Sequence, residues 1–294
     1  MKRPNQRRLF AAGLVALLML GGCGPTDVEP DQPTVTYAEL AAAHNAAVDR
    51  LEQLWVRTVL EARWVDEQGD KHFEQGDGPL IVRKPHELAL AIGKLGNTRY
   101  WLGADADRYW LFDLSGERRT AYIGRIDRIG NPAKADPDRR ALPLPIQPNR
   151  LIGLLDITAW PDDVRPEVTA TEIGHVFTLP AEAALGGLGR QIEVGPDARA
   201  RRIALLDADD RVVLEAVLSD PGPVELADAP PGAWPRLAER IEIRLPRSDA
   251  KLKLVMRSPT GGADKVRDVQ FDFEKLARLH RIERVVDLDE PSEQ

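Results

Sequence analysis

The sequence predicts a mainly β fold of the α+β class. One large, curved antiparallel sheet is expected, a half-barrel of about 11 strands, with an N-terminal helix and a mid-chain helix covering its concave face. Two observations carry this expectation. Short segments of period-two alternation recur from Leu54 to Phe273, separated by turns rich in Gly, Asp and Pro. Only two segments carry a helical period, so helices do not alternate with strands and a parallel α/β sheet is excluded.

The N-terminus reads as an export signal, residues 1–22. Lys2, Arg3, Arg7 and Arg8 precede an apolar run from Leu9 to Leu20, too short to span a bilayer but suited to a signal-peptide core. The run ends Leu20-Gly21-Gly22-Cys23, which is similar to a bacterial lipobox. The alternative is an ordinary cleaved signal that happens to contain a cysteine. Cys23 is the only cysteine, so no internal disulfide is available to it and lipidation is the expected use. Two or three acyl chains, at about 0.8 kcal/mol per buried methylene, would hold the chain on a membrane. Gly24 rather than an aspartate after the cysteine favours the outer membrane, facing the periplasm.

Removing residues 1–22 takes away four positive charges and no negative ones, so the formal net charge of −7 becomes about −11. An acidic chain without a basic run excludes nucleic acid as the expected partner, and electrostatic adhesion to anionic lipid with it. The membrane is then reached through Cys23 alone. A 43% hydrophobic content is that of a folded chain, and a monomer is expected.

Residues 23–35, rich in proline and acid, read as a lipidated tether, and residues 36–294 as the folded domain. Thr36 and Glu39 form a capping box, and Tyr37, Leu40, His44, Val48 and Leu51 follow at helical steps. His44 is expected to be a core histidine. From Leu54 the even positions Val56, Thr58, Leu60, Ala62 and Trp64 share one face of a strand, with Arg57, Glu61 and Arg63 on the other. Strands are expected at Lys71–Gln75, Leu80–Arg83, Leu88–Ile92, Arg99–Leu102, Arg108–Leu114 and Thr120–Ile126. Five prolines make 131–148 an irregular connection, after which Asn149 is expected to cap a short helix through Leu155. Further strands are expected at Glu172–Leu179, Arg190–Val194, Arg201–Leu206, Val212–Leu218, Arg240–Leu245, Lys251–Met256 and Asp268–Phe273, with a proline-rich loop over Asp220–Pro235. A rival organisation splits the chain into two β-domains at 131–148.

Three stretches carry a family resemblance. Leu80-Ile81-Val82-Arg83-Lys84-Pro85-His86-Glu87-Leu88 is a strand, a basic residue, a proline and the next strand; Tyr109-Trp110-Leu111-Phe112-Asp113 closes a hairpin; Trp234-Pro235-Arg236 leads into a late strand. Together with the order of elements they resemble the outer-membrane lipoprotein carrier and receptor superfamily (LolA/LolB-like). The resemblance implies a half-closed barrel whose apolar concave face accommodates acyl chains, of lipoproteins or of other lipids. It transfers no individual functional residue. From alternation, Trp64, Leu88, Leu90, Ile92, Trp110 and Phe112 are the inward-facing candidates for a lipid cavity, or else fill the core against the helices. A membrane-bound receptor of this superfamily also carries an exposed apolar loop tip, and the sequence marks none.

Other chemistry is sparse, and no cofactor is expected. The five histidines, His44, His72, His86, His175 and His280, show no metal-ligand spacing on one helix. Asp105-Ala106-Asp107 and Asp207-Ala208-Asp209-Asp210 would need a carboxylate at Gly116 and Leu218 to complete a calcium loop, so both read as hairpin turns. There is no Gly-x-Ser-x-Gly elbow, and an enzyme is not expected, although paired carboxylates among 47 acidic residues leave a hydrolase open. The expected function is a lipid-anchored envelope protein that shelters an acyl chain or the lipid of a lipoprotein. The alternative is a non-enzymatic scaffold or sensor whose cavity is filled by its own side chains.

Overall fold

The computed structural model describes residues 35–66, 69–128, 145–262 and 264–290. Cys23 and the rest of the tether up to residue 34 lie outside the described residues, as does most of the 131–148 connection.

Helix α1 (Tyr37–Val48) begins at the capping box. The Thr36 hydroxyl accepts from Glu39 N at 3.3 Å, and the Glu39 carboxylate accepts from Thr36 N at 2.8 Å. Hydrogen bonds donated to it by Thr36 N and by the Thr36 hydroxyl hold the Glu39 carboxyl below its ordinary pKa. Tyr37, Leu40, Ala41, His44 and Val48 are its buried face.

The first meander comprises β1 (Gln53–Val65), β2 (Lys71–Arg83), β3 (Glu87–Lys94), β4 (Asn97–Ala104), β5 (Arg108–Asp113) and β6 (Thr120–Arg125), each antiparallel to the next. Helix α2 (Pro148–Leu154) follows. The second run is β7 (Thr169–Thr171), β8 (Gly174–Glu182), β9 (Leu188–Val194), β10 (Ala200–Leu206), β11 (Val212–Pro223), β12 (Arg236–Leu245) and β13 (Ala250–Thr260), then α3 (Phe273–Leu279) and β14 (Arg284–Asp287). All form one sheet in the order β14-β6-β5-β4-β3-β2-β1-β13-β12-β11-β10-β9-β8-β7. The ladder between β1 and β13 joins the two runs, so the chain is not split into two β-domains at the connection.

Curvature follows from the core. Leu102 and Leu111 of β4 and β5 share one cluster with Phe177, Ile192 and Ile203 of β8, β9 and β10. In sheet order β5 and β8 are ten strands apart, about 48 Å in a flat sheet at roughly 4.8 Å per step, so the sheet must bend for them to share a core. Helices α1 and α2 and the segment carrying Leu155, Ile157 and Trp160 fill the concavity. With β7 and β14 as edges, the sheet is not closed.

Several expectations change. The sheet has 14 strands rather than about 11, because β7 and β14 are too short to show a period and β14 joins β6 in parallel. The two strands expected at Lys71–Gln75 and Leu80–Arg83 are one. Gly76 and Gly78 are not a turn there: a Cβ at Gly78 would lie 2.1 Å from the Ala91 carbonyl oxygen, so glycine is required where β2 presses on β3. The strand expected at Asp268–Phe273 is a 3-10 turn leading into α3, which is capped by Asp272, whose side chain accepts from Lys275 N at 2.9 Å. Strand β11 continues through Pro221 and Pro223, where it pairs with β12. Gln147 precedes α2 as its cap without a side-chain bond; the Asn149 amide instead donates to Ala184 O at 3.1 Å. Both aspartate-rich segments are hairpin turns, closed by Asp105 N to Arg108 O and Asp207 N to Arg211 O.

Candidate functional site

The first side chains to place are those that tie α1 over the concave face. The Asn45 amide donates to Trp160 O at 2.9 Å, and its carbonyl accepts from Trp160 N at 2.8 Å. Tyr37 donates to Pro161 O at 2.7 Å, and burial pushes its phenol up to about 12. His44 stacks on Trp160 with ring centroids 4.0 Å apart and lies 2.9 Å from Thr158 O, which bears out its reading as a core histidine. Asp156 sits beneath it, largely buried, 3.8 Å from His44 and accepting from Ala200 N at 3.3 Å. Burial raises the pKa of this carboxyl, and His44 and Arg190 oppose the rise.

Beside this latch a cavity of about 680 Å³ opens between α2, the β2–β3 turn, the β4–β5 turn and the β8–β9 connection. Its apolar wall is Ile126, Ile152 and Leu185; its lip carries Glu52, Lys84, His86 and Asp105. Lys84 donates to Val48 O at 2.7 Å, so the last turn of α1 is fastened to the lip, and burial lowers the pKa of the Lys84 ammonium. Arg190, 2% exposed, reaches the cavity from β9, paired with Glu182 at 2.6 Å and 3.5 Å from the Thr158 hydroxyl. Two further lining residues, Gln53 and Asn149, have a buried amide oxygen without a hydrogen bond. The volume lies within the roughly 300–1,000 Å³ of small-ligand sites, and the lining is amphipathic. Among the described residues no group of three or more His, Cys, Asp or Glu side chains is placed to hold a metal ion.

The sequence-derived cavity candidates divide between the two faces. Leu88, Leu90 and Ile92 are buried in the main core on the concave side, and Trp64 packs at its edge, stacked on His72 at 5.0 Å. Trp110 and Phe112 point the other way. Leu111 pairs with Leu102 and Leu102 with Leu90, so it is Leu111 that faces the concavity, and its neighbours lie on the convex face beneath Phe273 and Leu276 of α3. Alternation separates two faces without naming the inner one, and here both are covered. Gly103 opposite Trp110 was the available signal: a Cβ there would meet the indole at 2.3 Å.

The sequence reading also missed a loop tip. Leu95 and Gly96 form the two-residue β3–β4 turn, with φ of +54° and +82°, and Leu95 is 93% exposed. Two positive φ values fit the tight hairpin turn that favours Asn-Gly, so leucine there is strained as well as solvated. Phe73 on the neighbouring β2 is 54% exposed.

No protein-family model matches the chain, and no curated protein matches it in sequence. Among solved structures it is similar to a DUF1329 family protein from Desulfovibrio piger, 15% identical over 81% of this chain and 97% of that one, with a TM-score of 0.47. It is also similar to a LolA superfamily protein from Nitrosomonas europaea, 9% identical over 82% and 99%, with a TM-score of 0.49. A third is a candidate outer membrane lipoprotein-sorting protein domain from Vibrio parahaemolyticus, 12% identical over 81% and 97%, with a TM-score of 0.50. The likeness is one of fold: the chain has the LolA-like half-barrel that its sequence resembles.

Proposed function

We propose that this protein is a membrane-tethered component of the bacterial cell envelope that binds an acyl chain of a lipid or lipoprotein. The observation that carries the reading is the amphipathic cavity of about 680 Å³ between α2 and the sheet, at the mouth of a concavity latched by α1. An acyl chain fits such a lining, with methylenes against Ile126, Ile152 and Leu185 and the polar end at the lip. Anchoring through Cys23 would put the domain at the membrane, most simply the outer one. Leu95 supports a receptor-like role, because a strained and fully solvated leucine gains by dipping into the interfacial region of a bilayer.

The test is native mass spectrometry of the full chain purified from membranes, followed by displacement of a naphthalene-sulfonate dye with fatty acid. Bound lipid and displacement support the reading; a clean apo mass and no displacement sink it. Cys23→Ala should release the chain from membranes. A second reading, scaffold or sensor, is favoured by the dense filling of the concave face by Leu154, Leu155, Ile157 and Trp160, which are at most 2% exposed.

A further inference from the structure

A second cavity, of about 430 Å³, lies between α1, the β9–β10 turn and the segments 218–221 and 232–238, and shares no lining residue with the first. Its composition is opposite to that of the chain. The protein carries a formal charge of −7, yet four arginines, Arg50, Arg199, Arg201 and Arg236, line this one pocket against two carboxylates, Asp156 and Asp197. Asp197 is already shared: its Oδ2 lies 3.2 Å from Arg199 and 2.8 Å from Arg201. Asp156 lies at the pocket's edge, 3.8 Å from His44. Arg236 donates to Pro221 O at 2.5 Å, and neither it nor Arg50 has a carboxylate partner among the described residues. The remaining wall is apolar, formed by Ala43, Ala46 and Ala47 of α1 together with Trp234 and Pro235.

We propose that this pocket binds an organic phosphate, its phosphoryl group held by the arginines and its carbon body against Trp234 and the α1 alanines. A guanidinium is a planar fork suited to oxyanions, and a carboxylate would occupy only one such fork. A phosphoryl group offers three acceptor oxygens and a charge of about −1.5 to −2 as a monoester, which matches an excess of arginines over carboxylates in the lining. The buried floor of the pocket, Leu155, Leu218 and Leu237, is apolar, and a low-dielectric floor focuses the positive field of the arginines above it. The phosphate can come from a soluble ester or from a lipid headgroup.

The test is calorimetric titration of the full chain in neutral detergent with sn-glycerol 3-phosphate and, separately, with dihexanoyl phosphatidic acid below its micellar concentration. Arg50 and Arg236 are exposed, so Arg50→Ala/Arg236→Ala should keep the fold, checked by circular dichroism. The expected result is binding of at least one ligand, weakened about ten-fold or more in the double variant, since charge-assisted bonds are the strong ones. Arg118→Ala, at the exposed β5–β6 turn, should leave it unchanged. Equal binding of both ligands assigns a soluble ester, and binding of the lipid alone assigns a headgroup. If neither binds, or if the double variant and Arg199→Gln both bind as tightly as wild type, the proposal is overturned.

Discussion

Replacing Asn45 by alanine should destabilise the fold far more than its place on a surface helix suggests. The side chain makes both of its hydrogen bonds to the backbone of Trp160, at 2.9 and 2.8 Å, and Trp160 is 1% exposed. Alanine would therefore leave a buried N–H and a buried C=O unpaired, at about 1–3 kcal/mol each. Against this stands a gain of up to about 0.7 kcal/mol from the better helix propensity of alanine. The net loss is about 1.3–5 kcal/mol, and at roughly 2–4 °C per kcal/mol for a chain of this size the melting point should fall by at least about 3 °C. Urea denaturation followed by far-ultraviolet circular dichroism measures it, with Ala46→Ser on the exposed face as the comparison. A loss below about 0.5 kcal/mol, ordinary for a surface substitution, would refute the latch.

Three other outcomes follow from the same geometry. Leu90→Ala, at 1% exposure in the main core, should cost about 2–5 kcal/mol in urea denaturation, and a cost under 1 kcal/mol would remove it from that core. Leu95→Asn should be neutral or stabilise by up to about 1 kcal/mol, because asparagine tolerates a positive φ; a clear destabilisation would show that Leu95 packs against something. Burial raises the Asp156 pKa in the folded state, so the folded protein takes up a proton before the unfolded chain does, and this carboxyl costs stability above its raised pKa. Stability from Asp156 therefore increases as pH falls through that value towards 3.8, and thermal melts between pH 7 and 4 should show the advantage of Asp156→Asn shrinking. A pH-independent difference would contradict that assignment.

What the sequence made legible, and what it hid, follows from the range of the interactions involved. The α1 start was legible because Thr36 and Glu39 satisfy each other's backbone within three residues. The inner face of β1 was legible because Arg57 and Arg63 mark the outer one. Trp110 and Phe112 were misplaced because α3, more than 150 residues later, covers the convex face and makes both faces of β5 apolar. Gly76 and Gly78 suggested a turn, whereas their role depends on β3, which only the folded sheet brings close. Arg190 was hidden for a similar reason: in sequence it is a charged residue at a strand start, and only the curvature of the sheet buries it beside Glu182 and Thr158.

The most direct test of the acyl-binding account fills the cavity between α2 and the sheet. Ala184 lines it and is partly exposed, so Ala184→Trp adds bulk at the mouth with little strain on the core. Saturation binding of a fluorescent fatty acid to wild type and variant should show uptake at one site per chain in wild type and at least a ten-fold loss in Ala184→Trp. No uptake by wild type, or equal uptake by both, would contradict the account.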